Sequence, residues 1–281
     1  MKRYFSLFLL SVTLLSGCSN LLFMPEKNIR FTPARFNMPY EDLSIPSTDG
    51  ITLNAWYIPA ICSDKKDCPS KANILFLHGN AENISSHTFS VLWLTAHNYN
   101  LIALDYRGFG KSEGSVNLLG AEKDIQAAAD YILEKYPDKP LFVFGQSIGA
   151  ALTASAIGKY DKQDKLAGVI MDSGFSKARQ IAREKISKIW VLGWILQYPL
   201  SYLVPENDAA SHVSRITVPK LFLTTLDDAV VSPHHTRTLY SNAVKPKELE
   251  IVETGGHIRA LNNSDAKNTF LKFLDKYSKT K

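Results

Sequence analysis

Gly145-Gln146-Ser147-Ile148-Gly149 lies between an apolar run at 140–144 and a small-residue stretch at 150–156, an order that reads strand, tight turn, helix. A serine at such a turn sits on strained backbone, where side chains two positions to either side would collide. Glycine at 145 and 149 removes them. The helix that starts at Ile148 aims free backbone N–H groups at any oxygen that gains negative charge beside the serine. The chemistry this suits is nucleophilic attack on a carbonyl. A serine hydroxyl needs a base to take its proton, and the base needs a carboxylate to hold its tautomer. Of the seven histidines, only His257 lies in a late glycine-rich turn, Thr254-Gly255-Gly256-His257, after a strand-like run at 249–252. The run at 220–224 leads into Thr225-Leu226-Asp227-Asp228, so either aspartate is placed to reach that imidazole. His87, His97, His212, His234 and His235 fall in polar or helical stretches and are expected on solvated faces.

The elements that must hold these groups alternate regularly. Parallel strands are expected at 73–77, 100–105, 140–144, 168–172, 220–225 and 248–252, after a hairpin that turns at Ser47-Thr48-Asp49-Gly50. Helical stretches separate them; the one at 119–135 places Ala121, Ile125, Ala128, Ala129 and Ile132 on one face. Such crossovers give an α/β fold, a mostly parallel sheet with helices on both faces and its site at the C-terminal strand ends. Ser147, His257 and the aspartates all fall at such ends. Between 172 and 220 the alternation breaks. A basic amphipathic stretch at 175–189 precedes an apolar one at 190–204, too short and too polar at Gln197 and Pro199 to span a bilayer. The expectation is a helical lid at about 174–212, with 190–204 either packed over the sheet or exposed as an apolar lid that forms an acyl pocket or touches the membrane; as a wall over Ser147 it would set acyl-chain preference.

Taken together, His78-Gly79-Asn80-Ala81-Glu82-Asn83, the run from Asp105 to Gly114, Gly145–Gly149, Asp172-Ser173-Gly174-Phe175, Asp228 and Gly256-His257 resemble the α/β-hydrolase superfamily, specifically its small-lid serine hydrolases. The resemblance covers nearly all of the chain after residue 40. It implies that Asp228 is the acid, because Asp228-Ala229-Val230-Val231 fits the family's Asp-x-x-Val pattern; Asp227 fits less well. It also implies an oxyanion hole made by the backbone N–H groups of Asn80 and Ile148, with His78 bracing the loop. Thr225 departs from the pattern, standing where many members have glycine. The implied reaction is hydrolysis of an ester, thioester or amide through an acyl-serine, with no metal or cofactor. An ester or thioester is favoured over a peptide bond, since the lid offers no acidic cluster for an amine terminus. The alternatives are a peptidase or amidase on the same triad, or a non-catalytic envelope binding protein with this fold.

The N-terminal residues suggest the compartment. Met1-Lys2-Arg3, an apolar stretch at 4–15 and Leu15-Ser16-Gly17-Cys18 resemble a bacterial lipoprotein signal. That resemblance implies a signal peptide at 1–17, acylation of Cys18, a lipid-anchored connector at 18–39 and a hydrolase domain at 40–281. Ser19, where an aspartate would retain the protein at the inner membrane, points to the outer membrane facing the periplasm. Cys62 and Cys68 are then expected to form a disulfide in an oxidising compartment; their spacing, with no histidine nearby, argues against a metal site. Gly108-Phe109-Gly110-Lys111-Ser112 imitates the end of a phosphate-binding loop, but Asp105 occupies the position where that loop requires glycine. A formal charge of +5 without a basic run gives no nucleic-acid footprint. The partners expected are a small-molecule or lipid acyl substrate and a membrane, through Cys18.

Overall fold

A computed structural model describes residues 22–61 and 69–279. In chain order the strands are β1 Met24–Pro25, β2 Glu41–Pro46, β3 Thr52–Ile58, β4 Ala72–Leu77, β5 Ala81–Glu82, β6 Tyr99–Leu104, β7 Leu141–Gln146, β8 Gly168–Asp172, β9 Lys220–Thr225 and β10 Lys247–Val252. The helices are α1 Ile84–His87, α2 Leu118–Lys135, α3 Ile148–Ile157, α4 Ala178–Ser187, α5 Trp190–Ser201, α6 Ala209–His212, α7 Pro233–Asn242 and α8 Ser264–Ser278. The main sheet has eight strands in the order β2-β3-β6-β4-β7-β8-β9-β10. Its β2–β3 and β3–β6 pairs are antiparallel and the rest are parallel. The α/β-hydrolase architecture read from the sequence is the one observed.

Strands β4, β6, β7, β8 and β9 are buried at every residue, as expected for parallel strands covered on both faces. Alternate side chains feed two cores. Leu75, Val143, Met171 and Phe222 pack with α2 and α3, whereas Ile74, Phe76, Phe142, Phe144 and Leu221 pack with Phe270, Phe273 and Leu274 of α8. Helix α3 is buried all round; its alanines let it lie close on the sheet beneath the lid.

Residues 22–39, within the expected connector, pack on the domain: Phe23 is buried edge-on against Phe109, β1 pairs with β5, and Asn83 donates to the carbonyls of Glu26 and Asn28. Three features differ from the sequence reading. The helix expected over 175–189 forms only at Ala178–Ser187. The 190–204 segment turns outward, with Trp194 72% and Ile195 60% exposed. Helix α5 lies on α4 because Gly193 allows close approach to the Ile186 carbonyl. His235, expected on a solvated face, is fully buried. Cys18, Cys62 and Cys68 lie outside the described residues. No helix among the described residues is long and apolar enough to cross a membrane.

Candidate active site

The parallel strands end on one edge, and β4, β7, β8, β9 and β10 each supply part of the site. After β7, Ser147 holds φ 56°, ψ −119°, a left-handed conformation that only a tightly determined turn sustains. A Cβ at Gly145 would strike the Gly149 carbonyl, and one at Gly149 would strike the Leu77 carbonyl. The turn is thus sterically closed to larger residues, and the Ser147 N–H is bonded across to the Asp172 carbonyl at 2.9 Å. After β10, the His257 ring places Nε2 2.8 Å from Ser147 Oγ. Its Nδ1 lies 2.8 Å from Asp228 Oδ2, delivered by the turn after β9. Asp228 Oδ1 accepts from the N–H groups of Val230 and Val231 at 2.8 and 2.9 Å. One hydrogen-bonded line therefore runs from serine through imidazole to carboxylate.

Asn80, after β4, and Ile148, at the start of α3, line the same pocket as Ser147. Among the described residues neither backbone N–H has an acceptor. The pocket has a volume of about 340 Å³, with Leu22, Met24, Phe175, Ile181, Val230 and Val231 as apolar wall and Lys185 as the one charged group among the described residues that line it. A larger cavity of about 650 Å³ lies at the opposite end of β7, lined by Asp130, Glu134, Lys139 and Lys162, and contains none of these groups.

The sequence of residues 68–208 matches the Hydrolase_4 family, described as serine aminopeptidase S33. The chain is 36% identical over 225 residues to the YfhR protein of Escherichia coli K12, covering 79% of this chain and 75% of YfhR. The chain belongs to the α/β-hydrolase superfamily. It is also 28% identical over 222 residues to the zebrafish lysophosphatidylserine lipase ABHD12, covering 72% of this chain and 58% of the lipase. The esterase Pf2001 of Pyrococcus furiosus shares the fold, with a TM-score of 0.73 at 20% identity over 91% of this chain and 99% of its own.

Several residues of this hydrolase site escaped the sequence reading. Asp227 is not an idle neighbour of Asp228: its carboxylate accepts from the N–H groups of Gly255 and Gly256 at 3.0 and 2.8 Å. These N–H groups hold its pKa below the usual carboxylate value. Thr225, where the family pattern has glycine, donates through Oγ1 to the Gly256 carbonyl at 3.0 Å. Both residues fasten the turn that carries His257. Gln146 donates to Asp172 and to the Ile258 carbonyl, tying the serine turn to the histidine turn. The pairings of β7 with β8 and of β9 with β10 bring these groups together, so no local spacing reveals them.

Burial pushes the Asp228 pKa upward, but the hydrogen bond from His257 and those from the Val231 and Val230 N–H groups win and hold it low. Asp172 shows the opposite balance. It is fully buried, and desolvation lifts its pKa to about 6 against the hydrogen bonds from Gln146 and Ser173. His78 gives Nδ1–H to the Gly79 carbonyl at 2.7 Å and packs between His87, Tyr106 and Phe109. Its own carbonyl accepts from Tyr106 Oη at 3.1 Å, so it stiffens the loop that carries Asn80. Burial and the neighbouring His78 keep His87 neutral, with a pKa pushed down to about 4.

Glu184, His234 and His235 bring potential ligand atoms within 4.8 Å of one another. Ser176 decides how they are used. Its N–H donates to His235 Nδ1 at 3.2 Å, so the ring proton sits on Nε2, which donates to Glu184 at 3.1 Å. A cation at Nε2 would have to displace that proton while the Ser176 N–H still faced Nδ1. The trio therefore serves as a hydrogen-bonded tie from α4 of the lid to α7 of the core. The Gly108–Ser112 loop is also structural: Ser112 bonds the Asp105 carbonyl, Lys111 pairs with Asp42, and neighbouring Arg107 is clamped by Asp124 and Asp49.

Proposed function

We propose that this hydrolase cleaves ester or thioester bonds of acyl substrates through an acyl-serine. Ser147 Oγ attacks the carbonyl carbon while its proton passes to His257 Nε2. Asp228 holds the His257 tautomer and stabilises the imidazolium. The oxyanion is met by the N–H groups of Asn80 and Ile148, and His257 then gives its proton to the departing alcohol or thiol. Water, activated by the same imidazole, releases the acid. The observation that carries this reading is the unbroken Ser147–His257–Asp228 line opening into an apolar pocket.

An aminopeptidase is the second reading, favoured by the description of the matching family. The pocket argues against it, because a free amine terminus would meet the Lys185 cation rather than a carboxylate. The lipase and esterase among the similar proteins lend support to the ester. Parallel assays on 4-nitrophenyl esters of graded chain length, acyl thioesters and aminoacyl anilides test the choice. Ester turnover exceeding anilide turnover at least about 100-fold is expected, and the reverse order overturns the reading.

We also propose that Cys18 carries a lipid anchor at the periplasmic face of the outer membrane. Leu22 and Met24 line the pocket, and the four residues from Cys18 to Leu22 reach at most about 14 Å. An acylated Cys18 would hold the pocket mouth close to the bilayer, where acyl lipids reside.

A further inference from the structure

Among the described residues, Lys185 is the one charged residue lining a pocket otherwise walled by apolar side chains, Asn80 and the Ser147 turn. It sits on α4, half-buried, and its ammonium makes no hydrogen bond or ion pair with any described residue. The anions that could have neutralised it are already engaged. Glu184, its chain neighbour, is bonded to Gln180, His234 and His235. Asp228 is bonded to His257 and two backbone N–H groups. Lys188, a like charge that acts on Lys185, donates to the Ala229 carbonyl. Burial and Lys188 depress the Lys185 pKa, and Asp228 and Glu184 only partly offset them. A half-buried cation held without a counterion beside a nucleophile costs stability unless a ligand supplies the charge.

We infer that Lys185 is a specificity-determining residue that receives an anionic head group, phosphate or carboxylate, on the alcohol side of the acyl substrate. The acyl chain then takes the apolar wall at Phe175, Ile181 and Val231, and the charged end of the leaving group meets the ammonium. This deepens the esterase reading and rests on it for the reaction, though not for the binding.

The test compares 1-octanoylglycerol, 1-octanoylglycerol 3-phosphate and the octanoyl ester of glycerate on wild type, Lys185→Met and Lys185→Arg. Methionine keeps the apolar stem and removes the charge. The ratio of kcat/KM for an anionic ester to that for the neutral one should fall about 10- to 100-fold in Lys185→Met, the range for a charge-assisted hydrogen bond. Lys185→Arg should retain most of it. The anionic ester that loses more identifies the preferred anion. A ratio unmoved by Lys185→Met overturns the proposal, as does an equal loss on all three esters, which would assign the charge to the triad or the fold.

Calorimetric titration with octyl phosphate separates this inference from the reaction itself. Binding weakened about 10- to 100-fold by Lys185→Met supports the cation site even if none of the esters is hydrolysed. Ester hydrolysis together with binding indifferent to Lys185 overturns the cation site alone.

Discussion

Asp228→Asn replaces one carboxylate oxygen by NH₂, and its consequence can be worked through the hydrogen bonds. Asp228 Oδ1 accepts from the N–H groups of Val230 and Val231, and Oδ2 accepts from His257 Nδ1. The asparagine carbonyl oxygen must stay with the two backbone donors, which turns its NH₂ toward His257. An amide N–H facing Nδ1 makes that nitrogen an acceptor and moves the ring proton to Nε2, where it opposes the Ser147 hydroxyl. The base is then in the wrong tautomer. A loss of about 10⁴-fold in kcat is expected, about 5.4 kcal/mol of transition-state stabilisation, with little effect on folding since both backbone bonds survive. Asp227→Asn keeps the tautomer, but Gly255 and Gly256 donate to different carboxylate oxygens, so the amide accepts from one N–H and turns its NH₂ toward the other. The His257 turn loosens, and about 10- to 100-fold is the expected loss. Steady-state hydrolysis of a short-chain ester by both variants measures the two effects, with thermal melting as the control for folding. Equal losses, or a larger loss from Asp227→Asn, would refute the assignment of the acid.

Ile181→Ala should flatten the acyl-chain profile of kcat/KM, by up to about fourfold per methylene that loses its wall, whereas Trp194→Ala, on the outward face of α5, should leave the profile in place. Ester series of increasing chain length on both variants decide this. Cys18→Ser should move the protein out of the membrane fraction with the kcat/KM of the purified enzyme retained; full retention in the membrane fraction would place the anchor elsewhere. Stability should respond to acid through two opposed groups, read by melting temperature against pH. His87 has a folded pKa of about 4, below its ordinary 6.5, so the unfolded chain binds the extra proton and stability falls as pH drops from about 6.5 to 4. Asp172 has a folded pKa of about 6, above its ordinary 3.8, so stability falls as pH rises through that interval. His87→Gln should remove the first slope and Asp172→Asn the second.

The parts of the site legible in the sequence were those with local constraints. Gly145, Ser147 and Gly149 are fixed by one turn, and His257 follows a glycine pair after a strand, so residue type and spacing single them out. Asp227 and Asp228 are adjacent, and spacing alone does not divide their roles; the partners of each carboxylate do. Sequence could not divide the alternatives for the apolar run at 190–204, because an outward-facing apolar helix and a pocket wall have the same composition. Gly193 and the packing of α5 on α4 decide the outcome. His235 looked solvated because its neighbours in sequence are polar, while its real surroundings, Ser176 and Glu184, arrive from 59 and 51 residues away. The pairing of β1 with β5 spans two residues on each side, below any periodicity that a sequence can display. Lys185 became notable only when its neighbours proved to be engaged elsewhere.

A fluorophosphonate probe tests at the atom whether Ser147 is the nucleophile. Peptide mass mapping after labelling should find the phosphonyl adduct on Ser147, with Ser147→Ala folded but unlabelled and at least about 10³-fold less active. An adduct on another residue, or labelling of Ser147→Ala at the wild-type rate, would rule out Ser147 as the nucleophile.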